Sequence, residues 1–524
     1  MSNSPTLSFA EWQSVHKRLF DRWTIIFVWL GVVYRLVKYL VAAPIWGDEV
    51  MLCVNYIEKS YGDMFGPIDH SQIAPLLFHW AEIAAYQLLG SSEYAMRLPA
   101  TLGSLAGLLL FWWLCRRHLP PLSGMIAVGV MAVSSWPATK GGTIKPYTWD
   151  LLFATAVVFL ALEVFSRTRK TVPLLLLILL TPIAVASSYP WVFMAGGASL
   201  AIMYHLYVQR APRALWVYWL IWNLVLLGSF LLHYHFVSQA HLSSSVADVN
   251  TKMSMQKYWR DQFPTGNALQ ILFWLVRMTT GELAAYPLGS QNGGSIFTVI
   301  VCGIGWWGLR QQRQFGYLLL LTVPFVLHIL AAFLQKYPYG AARLSMHLAP
   351  VFCLLLGFGW LKIISTWVTA PHRLRFAYLN IIVLVLIGVG GTTLALVKTQ
   401  REFDSGWYQS TWKETAQLVG DSPLIVVYPP SGIMPYDEWY IAHEIRHSTR
   451  FEQTPWAELA QNNDKIFIYW SQMSLDQTQL DDFMQKLRAS HPQWAVAETR
   501  NMNKPQGAAA EPAKENWLVI LSRK

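Results

Sequence analysis

Two adjacent carboxylates, Asp48 and Glu49, stand in "IWGDEVML" (45–52), directly after the first long apolar stretch of the chain. Side by side they repel each other, and apolar neighbours raise the cost of keeping both charged, so the pair calls for a partner. Further polar groups recur in short breaks between apolar runs. Asp69, His70 and Gln72 lie in "PIDHSQIAPLLFHW", Glu93 and Arg97 in "SSEYAMRLPA", Lys140 and Lys145 in "TKGGTIKPYTWD", and Arg343 in "YPYGAARLSMH". Carboxylates gathered with fixed cations suit a substrate that carries a phosphate and a group that must lose a proton. Lys145 and Arg343, together with Arg97 and with Tyr147 two residues after Lys145, are the candidates to hold phosphate oxygens by charge-assisted hydrogen bonds. A carboxylate among them would act as base or metal ligand, with Asp48 and Glu49 the candidates, while His70 and Gln72 are candidates for an acceptor or a metal.

The elements that position these groups are apolar helices. The chain has 524 residues, of which 54% are hydrophobic and 13% charged, and its mean hydropathy is +0.32. A soluble domain carries about 25% charged residues, so this composition points to a polytopic membrane protein. Segments long enough to span a bilayer fall near 23–43, 96–114, 121–138, 148–165, 172–189, 191–208, 214–236, 295–309, 315–334, 345–366 and 377–397, about eleven in all. Arg35 and Lys38 interrupt the first, which reads as an uncleaved helix and not as a signal peptide. Basic, acid-free stretches follow in alternate loops, all on the side of the N-terminus: "CRRH", "SRTRK", "QRAPR", "LRQQRQ" and "PHRLR". With "HKRLFDR" at the N-terminus, they place that terminus in the cytoplasm. The polar breaks listed above, and everything after about residue 400, then face outward.

From residue 401 the composition turns polar and aromatic. Strand-like runs "PLIVVYP", "KIFIYW", "WAVAETR" and "NWLVILS" surround a helical "LDDFMQKLRASH", which predicts a small outer α/β domain over 401–524 behind a helical membrane domain over 1–400. The tail has no nucleophile elbow or phosphate loop, and reads as a scaffold or lid. The four cysteines (Cys53, Cys115, Cys302 and Cys353) show no CxxC spacing, so neither a disulfide framework nor a zinc cluster is indicated. The net charge of +10 follows from membrane topology, and no basic block suggests nucleic acid.

Each candidate also has a purely structural reading. Asp48 after Gly47 suits an N-cap for "EVMLCVNYI". Lys145 and Arg343 suit snorkelling anchors at helix ends, and Arg97 the start of a span at the interface. A lone loop histidine such as His70 is most often solvated. Asp150 falls inside a span and needs a partner, either Lys145 or a neighbouring helix. Arg35 and Lys38, three residues apart on one helix face, either line a groove for a lipid phosphate or reach for the interface.

The ordered set "WGDE", "HSQIAPLLFHW", "GSSEYAMRLPATLGSLAGLLL", "KPYTWDLL" and "YPYGAARLSMHLAP" resembles the GT-C glycosyltransferases. Within them it is most similar to the bacterial branch related to protein O-mannosyltransferases, lipid A aminoarabinose transferases and rhizobial lipopolysaccharide sugar transferases. The resemblance covers residues 20–370 and is most specific over 46–150. It implies a polytopic helical bundle that transfers one sugar, with inversion, from a polyprenyl-phosphate donor to a lipid, glycan or protein acceptor at the outer face of a bacterial inner membrane. Asp48 matches the first-loop aspartate that serves this family as base or helps bind a divalent ion, so a divalent metal remains open. Two other classes share part of the pattern. A transporter or flippase would show internal repeats or matched broken helices, and neither is present. A lipid-linked glycan polymerase or ligase would place its key residues in the long outer loop 237–266, where Arg260 and Asp261 are the testable pair.

Overall fold

The computed structural model describes residues 8–45, 47–70, 72–166, 170–241, 259–404, 407–427, 435–445, 448–450, 454–470, 477–502 and 517–523. They form two compact units: Met1–Ala42 with Lys59–Lys398, and Ala43–Glu58 with Thr399–Lys524.

The first unit is a helical bundle. Its long helices are α1 (Lys17–Leu40), α2 (Leu76–Leu89), α3 (Glu93–His118), α4 (Pro121–Val133), α5 (Tyr147–Ser166), α6 (Thr171–Ser187), α7 (Trp191–Val208), α8 (Arg213–His233), α9 (Ala268–Thr280), α10 (Ile296–Gln311), α11 (Phe315–Phe333), α12 (Ala349–Thr366) and α13 (Arg373–Asp404). Among the described residues, eight helices are long and apolar enough to cross a membrane. The pair Pro121–Val133 and Ser135–Gly142, bent by 53° at Ser134, is long and apolar enough for a ninth when taken as one span, and α6 and α10 are shorter apolar helices. Together these are the segments that hydropathy marks in the sequence, and the chain is a multi-pass membrane protein. Helices α2 and α9 lie between spans; α9 opens with a capping box, the Asn267 side chain accepting from the Gln270 N–H while Gln270 reaches back to the Asn267 N–H.

Local signals set the helix ends. Ser92 caps α3 by accepting the Ala95 N–H. Pro121 starts α4, where its missing N–H costs nothing. Gly90, at φ +85°, ends α2 in a conformation that a side chain would strain. Small residues bring the helices together, as expected where lipid removes the hydrophobic drive between spans. A Cβ on Gly103 or Gly107 of α3 would overlap Trp149 or Leu151 of α5, and one on Gly305 of α10 would overlap the Leu355 carbonyl of α12.

Arg35 is not at a lipid groove. It is buried in α1, where it donates to the Ser104 hydroxyl at 2.9 Å and to the carbonyls of Gly31, Ala132 and Met131 at 3.0, 3.1 and 3.3 Å. Its cation is thereby spent on carbonyls left bare near the Ser134 bend, and it fastens α1 to α3 and α4. At the far end of α5, Glu163 is buried between Arg117 and His118.

The second unit carries a five-stranded mixed sheet in the order β2-β1-β3-β5-β4, with β1 Leu424–Val427, β2 Ser448–Arg450, β3 Lys465–Trp470, β4 Trp494–Asn501 and β5 Trp517–Arg523. Strand β1 runs parallel to β2 and β3, whereas β5 runs antiparallel to β3 and β4. Helices α14 (Trp407–Val419), α15 (Pro435–Glu444), α16 (Trp456–Asn462) and α17 (Gln477–Ser490) complete it. Ile425, Ile468, Leu487, Trp494 and Val519 form its core. Residues 43–58 group with this unit, although in sequence order they belong to the membrane domain. Their short helix Val50–Cys53 packs on α15, and the Tyr440 hydroxyl donates to the Ile45 carbonyl at 3.5 Å.

Candidate functional site

In the second unit, Gly47 takes φ +61° and turns the chain into the short helix Val50–Cys53. The cap position of that helix is Glu49, whose side chain makes no capping hydrogen bond, and Asp48 stands one residue earlier. Glu49 therefore does not serve as the side-chain cap of this helix. Asp48 is half-buried and Glu49 is buried at 6% exposure, which is uncommon for a carboxylate.

In the first unit, the break before α5 is built as a platform. Arg97 on α3, 3% exposed, donates to the Gly142 carbonyl, and the Thr101 hydroxyl donates to the Gly141 carbonyl at 2.8 Å. These bonds anchor the "KGGTIK" turn on α3. Pro146 then starts α5, its carbonyl accepting the N–H groups of Trp149 and Asp150. Arg97 thus reads from the geometry as a residue that positions the turn.

The turn presents Lys145. Its ammonium, 9% exposed, donates to the Gln72 side-chain oxygen at 2.6 Å, and the Gln72 amide in turn donates to the His70 carbonyl at 3.1 Å. His70 takes φ +57°, a left-handed turn that histidine tolerates better than most side chains. The sequence groups His70/Gln72 and Lys145, 73 residues apart at Gln72 and Lys145, are therefore brought together, with the His70 carbonyl as one link. Asp69 pairs instead with Lys59 at 2.7 Å.

Asp150 has its partner on the chain that follows α6: the Ser188 hydroxyl donates to its Oδ1 at 2.6 Å. Tyr189, next in sequence, donates to the Ala74 carbonyl at 2.9 Å and so ties this break to residues 72–75. The segment after α11 closes on the same region. The Tyr337 hydroxyl donates to the Leu344 carbonyl at 2.9 Å, and its pKa is pushed well up, by burial first and then by Asp150 and Tyr147 nearby. Arg343, half-buried, lies over the Trp259 ring at 4.8 Å, a cation–π contact that holds the guanidinium without neutralising it. Tyr147 is buried at the first turn of α5.

Behind Lys145, His79 of α2 is fully buried, edge-on to His241 with ring centroids 5.5 Å apart. Its pKa is held well below 6.5, by burial first, then by His241 and Lys145. Glu82, one turn later, is equally buried. Among the described residues no three His, Cys, Asp or Glu side chains form a group that could hold a metal ion.

Sequence reasoning missed Ser188, Tyr189, Tyr337 and His79. A signal was present for Ser188 and Tyr189: "SSYPW" is a polar break on the side that carries "KPYTWD". Tyr337 lies in the same short motif as Arg343.

The apo crystal structure of ArnT from Cupriavidus metallidurans matches 95% of this chain and 98% of its own, with a TM-score of 0.51 at 12% identity. The chain has the GT-C fold. ArnT bound to undecaprenyl phosphate matches over the same shares at 12% identity, with a TM-score of 0.49. The mycobacterial arabinofuranosyltransferase AftD matches 94% of this chain and 40% of its own at 15% identity, with a TM-score of 0.41. No family model and no curated protein matches the chain. The GT-C fold accounts for the helical membrane unit followed by a small α/β unit, and it leaves the site residues to be argued from their own chemistry.

Proposed function

We propose that this protein is a membrane glycosyltransferase that moves one sugar from a polyprenyl-phosphate donor to a lipid, glycan or protein acceptor on the outer face of a bacterial inner membrane. The observation that carries this reading is the fold match to ArnT along nearly the whole of both chains. ArnT has been crystallised with undecaprenyl phosphate, which supports a donor of that class here. The N-terminus is then cytoplasmic, and the tail lies outside with the acidic and cationic breaks.

In this mechanism Asp48 takes the proton of the acceptor hydroxyl as that oxygen attacks the anomeric carbon. The bond to the phosphate oxygen breaks, and the lipid phosphate leaves as an anion. Lys145 and Arg343 stabilise the charge that grows on it; a cation kept at a buried helix start has its hydration cost repaid when an anion binds. Gln72 fixes the direction of the Lys145 ammonium, Glu49 orients the first-loop turn or the acceptor, and Arg97 and Tyr147 support the donor end. A divalent ion remains a candidate addition at Asp48.

The test is sugar transfer from a panel of radiolabelled polyprenyl-phosphate donors by purified protein in membranes that contain the native acceptors. Donor-dependent labelling that disappears in folded Asp48→Asn is expected. Labelling that persists in Asp48→Asn would remove Asp48 from catalysis, and no labelling with any donor would turn the reading toward transport.

A further inference from the structure

A groove opens at the other end of the bundle from Lys145. It is an open groove of about 580 Å³ between α7, α10 and α11, lined by Tyr204, Trp306, Arg310, Phe315, Leu319 and Val323 among others. The volume falls in the range of small-ligand pockets, roughly 300–1,000 Å³. Phe165, at the last turn of α5, stacks on His205 and meets Tyr317, which places the groove near that end of α5. Lys145 stands just before the first turn, and a 20-residue helix is about 30 Å long, so the two sites are separate.

The groove has two chemistries. Its walls are aromatic and aliphatic. Its lip is cationic: Arg310 is exposed and lies over the Trp306 ring at 5.8 Å, while the Trp306 N–H is satisfied by the Thr322 hydroxyl at 3.1 Å. Arg313 is exposed on the turn that joins α10 to α11, and Lys170 meets His205 at 2.9 Å, beside Tyr204. Ser166, Lys170 and the windows 204–214 and 304–318 beside the groove include no Asp or Glu. The carboxylate nearby on α5, Glu163, is taken by Arg117 and His118.

An apolar slot with a cationic lip fits an amphipathic anion. A neutral lipid leaves the arginines unused, and a free phosphate leaves the slot unused. Basic pockets between membrane helices, at the level of charged headgroups, bind anionic lipids. We infer that this groove is a binding site for one anionic phospholipid of the leaflet that the basic turns face, with an acyl chain between α7, α10 and α11 and the headgroup phosphate on Arg310. The inference needs only that the chain spans a membrane and does not depend on the transfer reaction.

Native mass spectrometry of the purified full chain in detergent, titrated with dioleoylphosphatidylglycerol or dioleoylphosphatidylcholine, tests it. Wild type should retain one phosphatidylglycerol in preference to phosphatidylcholine. Arg310→Gln should lower phosphatidylglycerol retention about fivefold, the worth of one basic group at a charged headgroup. Leu319→Trp, which fills the slot, should lower retention of both lipids, with circular dichroism confirming the fold of each variant. Equal retention of the two lipids by wild type, or a preference unchanged in both variants, would overturn the site. Displacement of the phosphatidylglycerol by inorganic phosphate alone would also overturn it, by showing that the slot contributes nothing. Displacement by polyprenyl phosphate at equal concentration would reassign the groove to the donor.

Discussion

At the scale of single residues, Lys145 and His79 carry the sharpest expectations. The Lys145 ammonium donates to the Gln72 side-chain oxygen at 2.6 Å, and in the proposed mechanism it stabilises the leaving phosphate. Lys145→Met should lower kcat/KM for the donor by about 10²–10³, the usual loss when one preorganised donor to a developing charge is removed. Gln72→Ala, which loosens the ammonium without removing it, should cost clearly less; equal losses in steady-state transfer would mean that Lys145 serves only the fold. His79 makes a different prediction. The folded protein keeps this imidazole neutral because burial, His241, Lys145 and Lys59 hold its pKa well below 6.5, while the unfolded chain binds its proton as pH drops through that value. Its contribution to stability is therefore complete above about pH 6.5 and shrinks below it, by at most about 1.4 kcal/mol per pH unit. Between about pH 7.5 and 5.5 the unfolding midpoint of wild type should fall more steeply than that of His79→Gln, and parallel curves would refute the assignment. The residues legible from sequence were those in strongly polar breaks. His79 was hidden because its neighbours "LLFHWAEI" read as an apolar helix, and only packing shows that its ring meets His241 of a helix far along the chain.

At the scale of elements, hydropathy located the spans because bilayer thickness imposes a length that few other constraints imitate. It did not reveal the bend at Ser134, where an apolar run continues through a break in the helix and Arg35 supplies the compensating donors to Ala132 and Met131. In the tail, four of the five strands were legible as β-branched and aromatic runs. Strand β2, only Ser448–Arg450, has no such run and exists because β1 offers a parallel partner edge. Helix pairing was not legible, since it depends on which glycines meet. A Cβ on Gly359 of α12 would strike the Val301 carbonyl of α10, which is backbone and cannot swing aside, whereas nothing lies within 4 Å of one on Gly303. Gly359→Ala should therefore destabilise the protein by about 1–3 kcal/mol in thermal or denaturant unfolding in detergent, with Gly303→Ala near wild type. Equal stability of the two variants would mean that α10 and α12 are not in close contact.

At the scale of the whole molecule, the spans and the basic turns together predict a topology that can be checked without knowing the substrate. The turn 312–314 follows an even number of the apolar segments and the C-terminal unit follows an odd number, so if every segment crosses they are expected on opposite faces of the membrane. Charge gives the direction, because the exposed turn between α10 and α11 lies in the acid-free "LRQQRQ". The four native cysteines are buried, at 0%, 1%, 7% and 0% exposure for Cys53, Cys115, Cys302 and Cys353, so a polar maleimide should pass them by and report only an introduced thiol. Gln312 and Gln493 are both exposed. In intact spheroplasts Gln493→Cys should react, and Gln312→Cys should react only after permeabilisation. The reverse pattern would invert the protein and put Asp48 and Lys145 on the face where a nucleotide-sugar donor is the available substrate. If both sites reacted from the same side, one of the apolar segments would fail to cross, with the two shorter helices α6 and α10 the first to test.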